Sequence, residues 1–216
     1  MTYELVVFDW DGTLMDSTRV IAASLQDACR DVGIAVPSEQ DARYVIGLNL
    51  ADTFDHVAPG LDEAGRVRLA ERYRHHFLAR ESEMPLYAGV REMLDDLLAR
   101  GRRLAVATGK ARRGLDRALE TTGLRDRFEA TRCADEGFAK PHPDMLLMLL
   151  ELTGVEARNA VMVGDTTHDL ELAANAGVDG VAVSYGAHGE ALLATRQAKA
   201  RLASVADLHR WLATAS

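Results

Sequence analysis

The chain has 216 residues, room for one domain of ordinary size plus a smaller insert. Hydrophobic residues make up 48% and charged ones 27%, so it can bury a core, and 33 acidic against 25 basic side chains leave a formal charge of −8. Such an acidic surface repels polyanions, which argues against nucleic acid and anionic membranes as partners, while a small anionic substrate could still bind in a locally positive pocket.

The N-terminal apolar run Leu5-Val6-Val7-Phe8 is short and follows Glu4, so no signal peptide is expected. No segment approaches the roughly 20 apolar residues of a membrane span, and the cytoplasm is the expected compartment. Cys29 and Cys133 lie far apart without metal-ligand spacing, as expected of two packed, reduced thiols.

Residues 3–8 are dense in β-formers and end at Asp9, which predicts a buried strand entering the polar turn Asp9-Trp10-Asp11-Gly12-Thr13. Residues 16–86 show helical patterns near 18–32, 38–46, 49–57 and 62–80, punctuated by Gly33, Pro37, Gly47, Pro59 and Gly60, with no convincing strand. From Tyr87 onward, helices at 90–100, 114–122 and 144–152 alternate with apolar runs at 104–107, 160–163 and 180–183. Strands alternating with helices predict a Rossmann-like, doubly wound parallel sheet. The expected organisation is an α/β core of residues 1–15 and 87–216, with an all-helical cap domain of residues 16–86 inserted. Ligands of such sheets sit outside the carboxyl ends of the strands, and three predicted strands run into Asp9, Thr108 and Asp165.

In the first turn, Asp9 and Asp11 are separated by one residue, so one carboxylate could attack phosphorus while the other serves the leaving oxygen. Taken alone, the same turn suits a plain loop or a calcium site. Thr108-Gly109-Lys110 offers a hydroxyl and free amides for phosphate oxygens, or simply a helix cap. Lys140, followed by Pro141, is either a stiffly held cation for a phosphoryl group or a solvated loop lysine. Asp165 and Asp169 are four apart, placing both on one side of a helical turn. Gathered carboxylates would repel one another without a cation, and magnesium is a hard ion that favours carboxylates. His168, between them, is expected on the helix surface.

In this order, Asp9-Trp10-Asp11-Gly12-Thr13-Leu14, Thr108, Lys140 and Gly164-Asp165 with Asp169 resemble the four motifs of the haloacid dehalogenase superfamily, and the phosphoglycolate phosphatase-like subgroup in particular. The resemblance implies a Mg²⁺-dependent phosphatase acting through a phosphorylated Asp9. It makes Asp11 the acid and base, Thr108, Gly109 and Lys140 the phosphate holders, and Asp9, Asp165 and the Asp11 main-chain carbonyl the metal ligands. Asp169 would orient Lys140 or a metal-bound water.

Within that superfamily, Asp11 argues against dehalogenation, because halide needs no proton to leave. Phosphonate chemistry would need a cap lysine, and residues 16–86 contain none; the chain's three lysines are Lys110, Lys140 and Lys199. A sugar-phosphate mutase would resemble its relatives in a cap histidine, which residues 17–22 lack. Pyrophosphatase or nucleotidase activity on the same scaffold stays open, as does a non-catalytic binding protein, although none of the key residues is missing. Specificity is expected from the cap, with Arg19, Arg43, Gly47 and Asn49 as candidates, and 2-phosphoglycolate as one substrate that a cap arginine would suit.

Overall fold

The computed structural model describes residues 3–214. Six parallel strands form one sheet: β1 (Leu5–Phe8), β2 (Arg103–Thr108), β3 (Ala130–Cys133), β4 (Ala160–Gly164), β5 (Asp179–Val183) and β6 (Ala200–Leu202), in the order β3-β2-β1-β4-β5-β6. The chain steps from β1 outward through β2 and β3, then returns to the other side of β1 at β4. That reversal opens a crevice between β1 and β4, where ligands of doubly wound sheets bind.

Both faces of the sheet are covered, and residue alternation along each strand divides the core in two. Val6, Phe8, Leu104, Val106, Val161 and Val163 point into one layer, packed by α5 (Val90–Ala99), α6 (Arg112–Thr122) and α10 (Val205–Thr214). Leu5, Val7, Ala105, Ala107, Ala160 and Met162 point into the other, covered by α7 (Asp144–Thr153) and α8 (Thr167–Asn175). Burial on both faces explains why β1, β2 and β4 read as continuous apolar runs.

Strands β3 and β6 are absent from the sequence reading. They are the two edges of the sheet, β6 has three residues, and β3 carries Arg132, so neither forms an apolar run. A short α9 (Glu190–Leu193) precedes β6.

Between β1 and α5 lie α1 (Thr18–Val32), α2 (Glu39–Tyr44), α3 (Leu50–Val57) and α4 (Glu63–Ala79), with no strand among them. Asp62, Asn49 and Ser38 cap three of these helices through their side chains, which accept from amides three residues on. The insert has its own apolar cluster, including Leu25, Cys29, Val45, Phe54 and Leu69. Cys29 and Cys133 are both buried and unbridged.

Candidate active site

Every polar strand end noted in the sequence opens toward one region. The turn after β1 folds tightly, with the Leu14 and Met15 amides donating back to the Trp10 carbonyl, so that Asp9, Asp11 and Thr13 face the crevice together. Asp9 is buried. Its Oδ1 accepts from Lys140 Nζ at 2.7 Å, while its Oδ2 is buried without a partner. Lys140, 1% exposed, also donates to Asp169 Oδ1 at 2.6 Å. It is therefore no solvated loop lysine.

Asp169 reaches the lysine from the start of α8. Thr166 is the N-cap, and Asp169 Oδ2 accepts from the Thr166 amide at 3.0 Å and from its hydroxyl at 2.7 Å, a reciprocal capping box. One carboxylate oxygen thus closes the helix end and the other holds Lys140. Asp165 precedes the helix rather than lying on it. Its Oδ1 accepts from Thr13 Oγ1 at 2.9 Å and its Oδ2 from the Ala187 amide at 2.6 Å. The packing here leaves no room for side chains: a Cβ on Gly12 would fall 2.1 Å from Asp165 Oδ2, and one on Gly186 2.2 Å from the same oxygen.

Carboxylate oxygens of Asp9, Asp165 and Asp169 lie within 4.8 Å of one another. Burial pushes the Asp9 carboxyl up to about 7, with Lys140 opposing and Asp169 and Asp11 adding to the rise. Burial, reinforced by Asp9 and Asp169, likewise raises Asp165 well above the usual carboxylate range. Burial works against the Lys140 ammonium, yet the Asp169 and Asp9 carboxylates outweigh it and keep its pKa above the ordinary value. Three buried carboxylates share one buried ammonium, an excess of negative charge that a divalent cation would neutralise. Hard oxygen donors and the orphaned Asp9 Oδ2 fit such an ion, for which Asp9 and Asp165 would be the carboxylate ligands. Asp169 Oδ1 is held by the Lys140 ammonium itself, which sets it apart from Asp165, whose oxygens accept only from the neutral Thr13 hydroxyl and Ala187 amide.

Asp11 sits apart from this cluster. Ser17 Oγ donates to its Oδ1 at 2.7 Å, and Lys110 Nζ donates to Oδ1 and Oδ2 at 2.9 and 2.8 Å. Lys110 also lies over the Phe77 ring, 4.9 Å from its centroid, so it joins the first turn to the insert. Lys110 carries no assigned role in sequence, although its position two residues past a predicted strand end is a usable signal. Thr108 is buried at the end of β2, and its Oγ1 accepts from the Lys110 amide at 3.2 Å.

The insert closes over these groups. Gly109 lies so close to the Gly47 backbone that a Cβ on it would meet the Gly47 carbonyl oxygen at 2.4 Å. Arg43, a specificity candidate, donates instead to the Gly186 and Ala187 carbonyls, at 2.6 and 3.3 Å, and ties α2 to the loop after β5. His168 corrects the surface assignment: it is 6% exposed, because the Tyr44 carbonyl docks on it. The Nε2 atoms of His168 and His188 each lie 3.0 Å from that carbonyl, and His188 Nδ1 accepts from the Thr167 amide. Gly47 and Asn49 line the cavity between insert and core with Asp9, Asp11, Thr108 and Gly109, whereas Arg19 is exposed on α1 and is not part of the lining.

Fold and site together define an α/β enzyme with a carboxylate centre at the carboxyl edge of a parallel sheet. The chain belongs to the haloacid dehalogenase-like hydrolases, a family that matches residues 6–183. It is 36% identical to the "Probable phosphatase IndB" of Dickeya dadantii, over 85% of this chain and 82% of that one. Identity to a phosphoglycolate phosphatase of Agrobacterium fabrum is 33%, over 84% and 81%. Among solved structures, a predicted phosphatase from Clostridium acetobutylicum superposes with a TM-score of 0.87 at 26% identity, covering 99% of both chains. The chain is a phosphatase-type enzyme of this family.

Proposed function

We propose that this protein is a Mg²⁺-dependent phosphatase that hydrolyses small phosphomonoesters, 2-phosphoglycolate among the candidates, through a phosphorylated Asp9. The observation that carries this reading is the pairing of Lys140 with one oxygen of Asp9 while the other, buried, has no partner. The lysine fixes the carboxylate while supplying positive charge for the transferred group, and the unpartnered oxygen leaves lone pairs that a nucleophile and metal ligand both require.

Asp9 attacks phosphorus as the ester bond breaks, and Asp11 protonates the departing oxygen. Asp11 then takes a proton from water, whose oxygen attacks the phosphoryl group on Asp9; inorganic phosphate leaves and the carboxylate returns. Lys140, the Thr108 hydroxyl and the Gly109 amide hold the phosphate oxygens. Asp9, Asp165 and the Asp11 main-chain carbonyl would hold Mg²⁺, which supplies charge neutralisation for the approach of an anionic ester to an anionic nucleophile. Asp169 keeps Lys140 in place.

Residues 16–86 act as a cap that excludes water during transfer, with Gly47 and Asn49 beside the leaving group and Arg43 latching the closed form. Phosphate release from a panel of phosphomonoesters, in Mg²⁺ and in EDTA, tests the proposal. Equal rates in both would remove the metal from it, and isomerised glucose 1-phosphate without free phosphate would favour a mutase.

A further inference from the structure

Between the insert and the core lies a cavity of about 760 Å³. The Gly47–Gly109 approach and the Arg43 bonds place the insert against the core, so this volume belongs to a closed arrangement. A ligand such as 2-phosphoglycolate, with nine heavy atoms, would occupy at most roughly 270 Å³ at the liquid-water share of about 30 Å³ each. Cavities of several hundred Å³ with mainly apolar walls are typical of much larger ligands. Beyond the phosphate floor at Asp9 and Thr108, the walls are mainly apolar, with Leu25, Val45, Ile46, Leu48 and Phe77 facing the void beside Asn49, Thr53 and Tyr73.

Charge along the lining has a pattern of its own. Among the cationic lining residues, Lys110 is paired with Asp11 and Arg117 with Glu81. Arg74 on α4 and Arg113 on α6 are exposed, and among the described residues neither has an acidic partner. Asp135, the acidic lining residue outside the floor, is engaged by the Arg112 amide. In a chain of net charge −8, two arginines without an acidic partner among the described residues, one on the insert and one on the core, form a local attraction for an anion.

Resting on the phosphatase reading, we infer that the preferred substrate is a phosphomonoester with a bulky apolar body and a second anionic group at its far end. The phosphate sits at the Asp9 floor, the body fills the apolar middle, and the remote carboxylate or phosphate meets Arg74 and Arg113.

The test compares kcat/KM for phosphate release from 2-phosphoglycolate, biphenyl-4-yl phosphate and its 4′-carboxylate derivative, all with Mg²⁺. The two biphenyl esters share body and leaving oxygen and differ in the remote charge. Expected is a preference of about tenfold for the carboxylated ester, with 2-phosphoglycolate the slowest of the three. In the Arg74→Glu/Arg113→Glu variant, checked for folding by circular dichroism, the ratio between the biphenyl esters should fall below one; because it is taken within one protein, partial misfolding does not imitate it. A wild-type ratio of one or less, an unchanged ratio in the variant, or 2-phosphoglycolate as the fastest substrate would each overturn the inference while leaving the phosphatase reading intact. No release from any of the three would overturn both.

Discussion

Lys140 Nζ lies 2.7 Å from Asp9 Oδ1, although 131 positions separate the two residues. The strand order is what makes this contact, since β1 is central and the loop after β3 must cross its carboxyl end to reach α7. The same ammonium reaches Asp169 at the mouth of α8, so three segments meet on one nitrogen.

Replacing that nitrogen should be costly in two ways. Lys140→Met leaves Asp9 and Asp169 buried without their shared partner, and stability should fall by about 3–5 kcal/mol. Adding Asp169→Asn should recover part of the stability and none of the activity. Urea unfolding with a phosphate-release assay separates the two effects; a double variant that regains turnover would argue against phosphate binding by Lys140.

Asp9→Asn should reduce phosphate release by at least about 10³-fold, because the amide is nearly isosteric but no nucleophile. The metal-free protein should not lose stability, since a neutral amide replaces a buried carboxyl that burial disfavours as an anion. Circular dichroism melting without Mg²⁺ checks this, and retained turnover in the variant would exclude Asp9 as the nucleophile.

The raised Asp9 carboxyl also sets a pH dependence. Its folded-state value of about 7 lies above the reference of 3.8, so the folded chain holds this proton more tightly than the unfolded one. Its stabilising contribution is full below the reference value and lost as pH rises through about 7. Without metal, the protein should lose roughly 2–3 kcal/mol from this group between about pH 5 and pH 8. Added Mg²⁺ should restore stability more at pH 8 than at pH 5.5, because the ion needs the ionised carboxylate. Thermal melts across pH, with and without Mg²⁺, check the sign. Asp9→Asn should make the metal-free curve shallower, with the likewise raised Asp165 keeping part of the slope.

Lys110 holds Asp11 and lies over Phe77. Lys110→Met should lower kcat by roughly tenfold through misplacement of the acid, and should also lower the melting temperature, because the buried Asp11 is left with Ser17 as its remaining side-chain partner. Steady-state kinetics on one substrate decide: an unchanged kcat would leave Lys110 a mere surface contact.

Arg43→Ala removes the tie between α2 and the loop after β5. Looser closure should raise KM and lower kcat together, each by about threefold to tenfold, and cost about 1–2 kcal/mol of stability. Kinetics beside a chemical unfolding curve test this; an effect confined to stability would detach Arg43 from closure.

By itself the sequence determined what depends on neighbours along the chain. The apolar run ending at Asp9, the helix-period patterns of residues 18–80 and the polar ends of three strands are local signals, and strand burial or helix amphipathicity preserves them. Edge strands β3 and β6 left no such trace, because one face of the sheet at its margin needs no apolar residue. Tertiary structure alone decided the rest. His168 looks like a helix-surface residue until the Tyr44 carbonyl covers it. Lys110 is one cation among many until the fold sets it against Asp11. The size of the cavity and the placing of Arg74 and Arg113 along its lining follow from how the insert and the core meet, a relation between surfaces distant in the chain. Helix and strand patterns record which side of an element is buried; they carry no record of which other segment buries it.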